Sequence, residues 1–363
     1  MIWTAEHWEK RHEGNTDSCS QAIPNDPQSL IQAIHDCLRT PYQLELTHPQ
    51  PSTLRPLPTG ATESEFILQT SGTTGSPKTY RHRQSDLTAH TKKGPSHAND
   101  TWGLLFPPNH MAGLQIVLQA LLNRNGIVNL LGLHPHQQIQ SIEQHSVSHL
   151  SATPTQYRQL ISGMKAPLSS IRQITIGGEV ADRTLIESLQ HQFPQAKITN
   201  IYATTETGTL LKSMGTTFSI PDRLADQIKV VDDELQVHAS MLKRSDSPDA
   251  WYPTGDRVRW IDSTHFEFIT REGEGINIGG HWVTPQLVEQ KIRTHPEVTD
   301  LKVSSRANSV LGNILAAQII FRSEVDERAF RLWMEEGLAP YEIPRWIESV
   351  TNLDLTFTGK VKR

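Results

Sequence analysis

Cysteine is nearly missing. The 363 residues hold two, Cys19 and Cys37, which excludes a multi-disulfide framework and a cysteine-rich zinc module. With so little thiol to pair, a reducing cytoplasm is the expected compartment. No apolar run approaches the roughly 20 residues that a membrane-spanning helix requires, so no membrane is expected as a partner. The opening Met1-Ile2-Trp3-Thr4-Ala5-Glu6-His7 lacks the basic-then-apolar order of a secretory signal. A basic excess is lacking too: 34 Lys and Arg stand against 39 Asp and Glu, a formal charge of -5, too acidic for a nucleic-acid coat. Of the 17 histidines, none sits in an HExxH pattern or in an HxH pair with carboxylates, so most read as surface or packing residues and no structural metal is expected.

What is present is a chain long enough for two domains, with 36% of its residues in the hydrophobic set. The stretch Thr47 to Glu65, rich in proline and polar residues, predicts an irregular surface path. From Phe66 onward short apolar runs alternate with amphipathic ones. Strands are predicted at Phe66–Leu68, Trp102–Phe106, Gly126–Leu131, Val147–Ala152, Ile171–Ile176 and Lys197–Tyr202. Helices are predicted at Met111–Asn123, Pro135–His145, Thr155–Ser162 and Asp182–Phe193. That alternation argues an α/β fold built on a mostly parallel sheet. After Thr209 consecutive strands at Ile228–Val231, Leu235–Ala239, Arg257–Ile261 and His265–Thr270 argue a barrel-like appendage. Glu272-Gly273-Glu274-Gly275 reads as a flexible joint. Beyond it, a helix from Pro285 capped by Thr284, strands near Leu301–Ser305 and Ile314–Phe321, a helix over Glu327–Glu336 and a strand near Trp346–Val350 make a small α+β domain. The expected division is therefore residues 1–271 and 272–363.

The segment Thr70-Ser71-Gly72-Thr73-Thr74-Gly75-Ser76-Pro77-Lys78 follows a strand. Its glycines and hydroxyls let backbone and side-chain donors converge on an anion, and its lysine adds a point charge. The spacing is not that of GxxxxGK[ST], and a Ser/Thr-rich turn reads equally well on the loop alone. Four further segments weigh in. Asn200-Ile201-Tyr202-Ala203-Thr204-Thr205-Glu206 follows a strand, where open α/β sheets place ligands. Trp251-Tyr252-Pro253-Thr254-Gly255-Asp256 sets a carboxylate after a glycine turn, suited to a diol. Arg271 to Glu289 contains Ile276-Asn277-Ile278-Gly279-Gly280-His281-Trp282. The chain closes with Leu355-Thr356-Phe357-Thr358-Gly359-Lys360-Val361-Lys362-Arg363.

In this order and spacing the five segments resemble the adenylate-forming superfamily of acyl-CoA synthetases, nonribosomal-peptide adenylation domains and firefly luciferase. The likeness runs from about Phe66 to Arg363. It implies a large N-terminal domain binding ATP and an acid, with a barrel-like appendage, and a small mobile α+β C-terminal lid. It also implies an ATP- and Mg²⁺-dependent enzyme that makes an acyl-adenylate and passes the acyl group to a thiol, CoA being the acceptor.

Carried over by position, the resemblance gives Thr70, Ser71, Gly72, Thr73, Thr74, Gly75 and Lys78 to the β- and γ-phosphates. Thr205 goes to the α-phosphate and Glu206 to Mg²⁺. Tyr202 is placed against adenine, with Gly178, Glu179 and Val180 on the ring's other side and Asn200 near the exocyclic amine. Asp256 is placed on ribose with Arg271 near it, and Lys360 on both the carboxylate and the α-phosphate. His110, in Asn109-His110-Met111-Ala112-Gly113-Leu114, matches the position that gates the acyl pocket; by itself it reads as a histidine making a local bond at a helix N-terminus. For Tyr202, Asp256 and the basic tail the plain alternatives are a core tyrosine, a turn-forming aspartate and a solvated terminus.

Several positions depart from the pattern. Residues 1–69 are few for a segment ahead of this loop, implying a reduced N-terminal subdomain. Ala203 stands where glycine is usual, Gly273 falls on the hinge position, and Trp282 stands where many CoA ligases carry arginine. Phe66-Ile67-Leu68-Gln69-Thr70-Ser71-Gly72 and the His110 segment look most like compact o-succinylbenzoate-CoA ligases of menaquinone synthesis. The alternatives are another aryl or fatty acid, a carrier-protein pantetheine as acceptor, or a catalytically degenerate nucleotide-binding protein. The sequence leaves the oligomeric state open, a homodimer included.

Overall fold

The computed structural model describes residues 2–3, 20–70, 78–89, 91–204, 207–242, 250–271, 273, 275–278, 280–308 and 312–362. The chain forms two compact units. The first comprises residues 1–152, 163–175 and 193–197; the second comprises residues 153–162, 176–192 and 198–363.

The first unit opens with β1 (Ile2–Trp3), β2 (Gln21–Ile23), α1 (Pro27–Arg39), β3 (Tyr42–Leu46), β4 (Ser52–Pro56), β5 (Glu65–Thr70) and β6 (Lys78–Arg83). Helix α1 starts where Asp26 accepts the Ser29 N–H and Pro27 supplies a pre-set φ, and it turns Leu30, Ile31, Ile34 and Cys37 inward. Strands β2 to β6 form one sheet in the order β2-β4-β3-β5-β6. The irregular path expected over Thr47 to Glu65 is thus corrected: β4 lies in it, paired antiparallel with β2 and β3. Its alternation of buried Ser52 and Leu54 with outward Thr53 and Arg55 is a half-buried strand pattern that the surrounding prolines obscure.

A second sheet of this unit uses β7 (Thr101–Leu104), β8 (Gly126–Asn129), β9 (His149–Ala152) and β10 (Gln173–Ile176), the last ending at the unit's edge, with α2 (Gln84–Thr88), α3 (Met111–Asn123) and α4 (Pro135–Gln144) in the intervening chain. The order is β1-β8-β7-β9-β10, with β7 parallel to β8 and β9. Continuous apolar runs such as Leu104, Ile127, Val128 and Leu150, all fully buried, are what a sheet covered on both faces requires. Each such side chain contributes roughly 1.5–3 kcal/mol on burial.

The second unit contains α5 (Pro154–Ser162), α6 (Arg183–Gln192) and the antiparallel pair β11 (Lys197–Thr204) and β12 (Gly208–Ser213). The appendage is a five-stranded antiparallel sheet, β13-β17-β16-β15-β14, from β13 (Phe218–Ser219), β14 (Ile228–Val231), β15 (Glu234–His238), β16 (Trp251–Trp260) and β17 (His265–Arg271). Strand β16 begins six residues before the expected Arg257, so Thr254-Gly255-Asp256 is strand and not a turn between strands.

The remainder of this unit holds the hairpin β18 (Ile276–Ile278) and β19 (His281–Val283), then α7 (Pro285–Ile292), β20 (Val298–Asn308), β21 (Gly312–Phe321), α8 (Glu327–Gly337) and β22 (Trp346–Ser349). Strands β20, β21 and β22 form a sheet over a core that includes Val288, Leu301, Ala317, Phe330 and Met334. Thr284 does stand at the N-cap of α7, but its side chain makes no capping bond; its carbonyl receives the Leu287 N–H instead. Among the described residues no helix is long and apolar enough to cross a membrane.

Candidate active site

Glycine at position 255 determines where the site's carboxylate points. Its φ of 77° lies in the left-handed region, and the β15–β16 register shifts there, between Glu234 opposite Arg257 and Gln236 opposite Pro253. The bulge is held by the Gly255 N–H donating to Glu234 Oε1 at 2.8 Å and by the Thr254 hydroxyl donating to the Leu235 carbonyl at 2.8 Å. A bulge re-aims the next side chain, and here that side chain is Asp256.

Asp256 meets Tyr202 of β11, whose hydroxyl donates to Oδ2 at 2.6 Å. The Tyr202 ring stacks on Phe268 of β17, centroids 4.4 Å apart and planes 18° apart. Arg271 is the residue opposite Asp256 in the β16–β17 ladder; its Nε lies 3.9 Å from Oδ1, and it also donates to the Thr254 carbonyl. Burial raises the Asp256 carboxyl above the usual range, and neighbouring Glu234 pushes the same way, against the opposing pull of Tyr202, Arg271 and Lys360. Burial, followed by the Asp256 charge, also keeps the Tyr202 hydroxyl protonated well beyond its ordinary range.

Lys360 arrives from the C-terminal end of the chain. Residues 354–362 fold into a tight hairpin: Leu355 bridges Val361, the Thr356 N–H donates to the Lys360 carbonyl at 2.7 Å, and the Lys362 N–H donates to the Asp354 carbonyl at 2.8 Å. A methyl group added at Gly178 would lie 3.4 Å from Lys360 Cε and 4.0 Å from Nζ, so the ammonium stem runs across that glycine. The second unit thus runs a cation across Gly178, and the charge of that cation is felt at Asp256, a half-buried carboxylate that accepts from a phenol and faces a guanidinium. This donor set fits a nucleotide: the carboxylate accepts from a ribose diol while the cations face phosphate.

The structure treats the remaining sequence candidates unevenly. Gly178 and Glu179 lie beside the Lys360 hairpin; both Glu179 oxygens are engaged, with the Thr155 and Val361 N–H groups. Asn200 is buried and donates to the Gly215 carbonyl at 3.0 Å. Ala203 is exposed at a register shift in β11. Thr70 and Lys78 pair as the last residue of β5 and the first of β6. Ser71, Gly72, Thr73, Thr74, Gly75, Thr205 and Glu206 lie outside the described residues. His110 stands at the N-cap of α3, where Nδ1 accepts the Ala112 N–H at 3.4 Å, and its ring stacks on Phe106. Among the described residues no three His, Cys, Asp or Glu side chains form a cluster able to hold a metal ion. Phe268 and Glu234 were not singled out from the sequence, since both carried only the alternation of an ordinary strand; Thr153 was expected near the acyl pocket, with His110, Gly177 and Thr204, and its bond to the Gly359 carbonyl instead engages the tail.

The AMP-binding enzyme family matches residues 9–238 of this chain. The chain belongs to that family. The 2-succinylbenzoate–CoA ligase of Listeria monocytogenes serotype 4b is 26% identical over 325 residues, which is 82% of this chain and 68% of that protein. An anthranilate CoA ligase crystallised with anthranoyl-AMP superposes with a TM-score of 0.66 at 20% identity, covering 85% of this chain and 68% of that one. An o-succinylbenzoate CoA synthetase from Bacillus subtilis, solved with ATP and a magnesium ion, gives 0.60 at 20% identity, covering 87% and 71%. The AMP-binding enzyme fold thus extends over most of the chain and agrees with the α/β architecture described above.

Proposed function

We propose that this AMP-binding enzyme is an ATP-dependent acid:CoA ligase whose acid is o-succinylbenzoate, in the service of menaquinone synthesis. The carrying observation is the approach of the Lys360 hairpin to Gly178 and to the charge of Asp256, because the first step needs a cation there. A carboxylate oxygen attacks the α-phosphorus of ATP, pyrophosphate departs, and an acyl-adenylate remains. Two anions must be brought together for this, so charge neutralisation has to precede attack. Lys360 provides it at the reacting oxygens, and the Thr70 to Lys78 segment provides it at the leaving phosphates. Glu206 would hold Mg²⁺, a hard cation that favours oxygen ligands, and the ion would supply further neutralisation. No protein nucleophile is required.

Asp256 accepts from the ribose hydroxyls and Arg271 stands beside it. Tyr202 presents to adenine the ring face that Phe268 does not cover. Asn200, whose amide nitrogen is committed to the Gly215 carbonyl, accepts from the exocyclic amine through its oxygen. Residues 272–363 serve as the lid. Rotation about Gly273, which has φ +84° and no atom within 4 Å of where a Cβ would stand, withdraws Lys360 for the second step. The Asn277 to Trp282 hairpin then faces the thiol of CoA. His110 gates the acyl pocket. A cytoplasmic location belongs to the same reading, because the reaction draws on ATP and CoA.

The test is a panel of o-succinylbenzoate, other aryl acids and fatty acids, each assayed for pyrophosphate release with and without CoA and with mass spectrometry of products. Pyrophosphate and an acyl-CoA with o-succinylbenzoate at the highest kcat/KM is the expected result. Faster turnover of another acid would reassign the substrate, and no pyrophosphate from any acid would remove the ligase reading.

A further inference from the structure

The backbone on both sides of Lys360 is pinned by side chains far away in sequence. On the N-terminal side the Thr153 hydroxyl donates to the Gly359 carbonyl at 2.7 Å, a bond buried from solvent. On the C-terminal side the Val361 N–H donates to Glu179 Oε1 at 3.2 Å. Glu179 is itself fixed: its other oxygen accepts the Thr155 N–H at 3.1 Å, in the first turn of α5, where the helix dipole favours a carboxylate. Thr153 is fixed as well, because its Oγ1 also accepts the Gln156 N–H at 3.1 Å, while its own N–H donates to Gln156 Oε1 at 3.0 Å. Gln156 closes the cradle from below. A Cβ on Gly359 would fall 2.3 Å from Gln156 Cδ, so the tail's glycine is a close-approach residue at this spot.

We propose that Thr153 and Glu179 are positioning residues for Lys360: a two-point clamp on the peptide units flanking the lysine sets its ammonium group for adenylation. This rests on the ligase reading above and assigns Glu179 a task beyond flanking adenine. Its carboxylate is spent on the tail and on α5, so adenine meets the backbone of residues 178–180 instead. The geometric argument is simple. Lysine carries a long flexible stem, and a stem of that length aims its charge only if its root is fixed. Both clamp residues act on the main chain, through the Gly359 carbonyl and the Val361 N–H. The clamp must also release, since the lysine is not needed for thioester formation. Two neutral-donor hydrogen bonds suit a contact that forms and breaks in each turnover.

The experiment uses the intact chain and three variants, Thr153→Val, Thr153→Ser and Glu179→Gln. Hydrogen exchange of the peptide covering residues 350–362 reads clamp closure without any catalysis. Adenylation is read by carboxylate-dependent ATP–pyrophosphate exchange, and thioester formation by transfer from a synthetic acyl-adenylate to CoA. Thr153→Val is expected to speed tail exchange and lower adenylation about tenfold, the consequence of one lost buried hydrogen bond, with transfer changed by less than about twofold on the same scale. Thr153→Ser, which keeps the hydroxyl, restores both. Glu179→Gln gives the same split in smaller measure.

Unchanged tail exchange in both Thr153→Val and Glu179→Gln would overturn the clamp, and so would an equal fall of both half-reactions. A dead Lys360→Ala beside a fully active Thr153→Val would overturn it too while leaving the ligase reading intact. Faster tail exchange in Thr153→Val than in the wild type, with no pyrophosphate from the wild type and any acid, would leave the clamp standing and remove the ligase reading.

Discussion

Tyr202 and Asp256, 54 residues apart, are joined by a 2.6 Å hydrogen bond from phenol to carboxylate. The bond couples the ring expected under adenine to the group expected under ribose, so the two halves of a nucleoside site are set by one contact. Hydrogen bonds to charged groups contribute about 1.5–3 kcal/mol. Tyr202→Phe keeps the stack on Phe268 but removes the donor, and is expected to raise KM for ATP about tenfold. Burial already raises the Asp256 carboxyl, with Tyr202 opposing it, so the variant's acid limb of kcat/KM for ATP moves to higher pH. Steady-state kinetics across pH checks both; an unmoved acid limb would separate Asp256 from ATP binding.

Lys360→Ala is expected to lose adenylation by about 10² to 10³, the scale of deleting one preorganised group at developing charge. Transfer from a supplied acyl-adenylate survives. Measuring the two half-reactions separately decides it, and equal losses would contradict the assigned role.

Glu206→Gln is expected to weaken use of Mg·ATP, raising the magnesium concentration needed for half-maximal pyrophosphate release. A magnesium titration identical to that of the wild type would remove Glu206 from the site.

Arg293, 11% exposed, donates to Asp300 at 3.2 Å and lies 3.6 Å from Glu289. Burial works against its charge, but Asp300, Glu289 and Asp182 together raise its pKa. Asp182 in turn bonds Arg158 of α5 at 2.5 Å; burial alone would raise the Asp182 carboxyl, yet Arg158 and then Arg293 hold it below its usual range. Arg293→Ala leaves buried carboxylates without their cation. The expected cost is about 3–5 kcal/mol, read as a lower denaturation midpoint in urea; a loss under about 1 kcal/mol would mean that solvent reaches the cluster.

His149 is enclosed by Asp100 on Nε2, Ser148 on Nδ1 and the Trp102 ring, with His97, Arg172 and Lys92 nearby. Burial lowers it from 6.5 to about 4, a shift that Asp100 opposes and Arg172 reinforces. The fold therefore holds it neutral while the unfolded chain takes up a proton at higher pH. Stability is unaffected by this group above pH 6.5, falls as pH drops from 6.5 to about 4, and levels off below that, where folded and unfolded chains are both protonated. The loss amounts to about 3 kcal/mol at most. His149→Gln should flatten the pH dependence of the urea midpoint over that window; an unchanged slope would assign the acid sensitivity elsewhere.

Much of this was legible in the chain itself. Strand and helix alternation gave the α/β reading because apolar runs of strand length and amphipathic runs of helix length differ in period. Tyr202, Asp256 and Lys360 stood out through the segments that carry them. Other parts were illegible for physical reasons. The prolines around Ser52–Pro56 masked a strand that pairs on both sides, because pairing partners do not appear in local composition. Gly255 read as a turn, yet it is a bulge within a strand, and only the register opposite β15 distinguishes the two.

The linear order of residues decided the chemistry available: which groups can accept from a diol, which carry positive charge, the scarcity of thiols, and the lack of a basic excess and of long apolar runs. The three-dimensional fold decided which of those groups act together. Thr153 and Gly359 are 206 positions apart, and nothing near either one announces the other. Their bond exists because strand ends and helix starts converge in space, and because a hydroxyl buried there must find an acceptor.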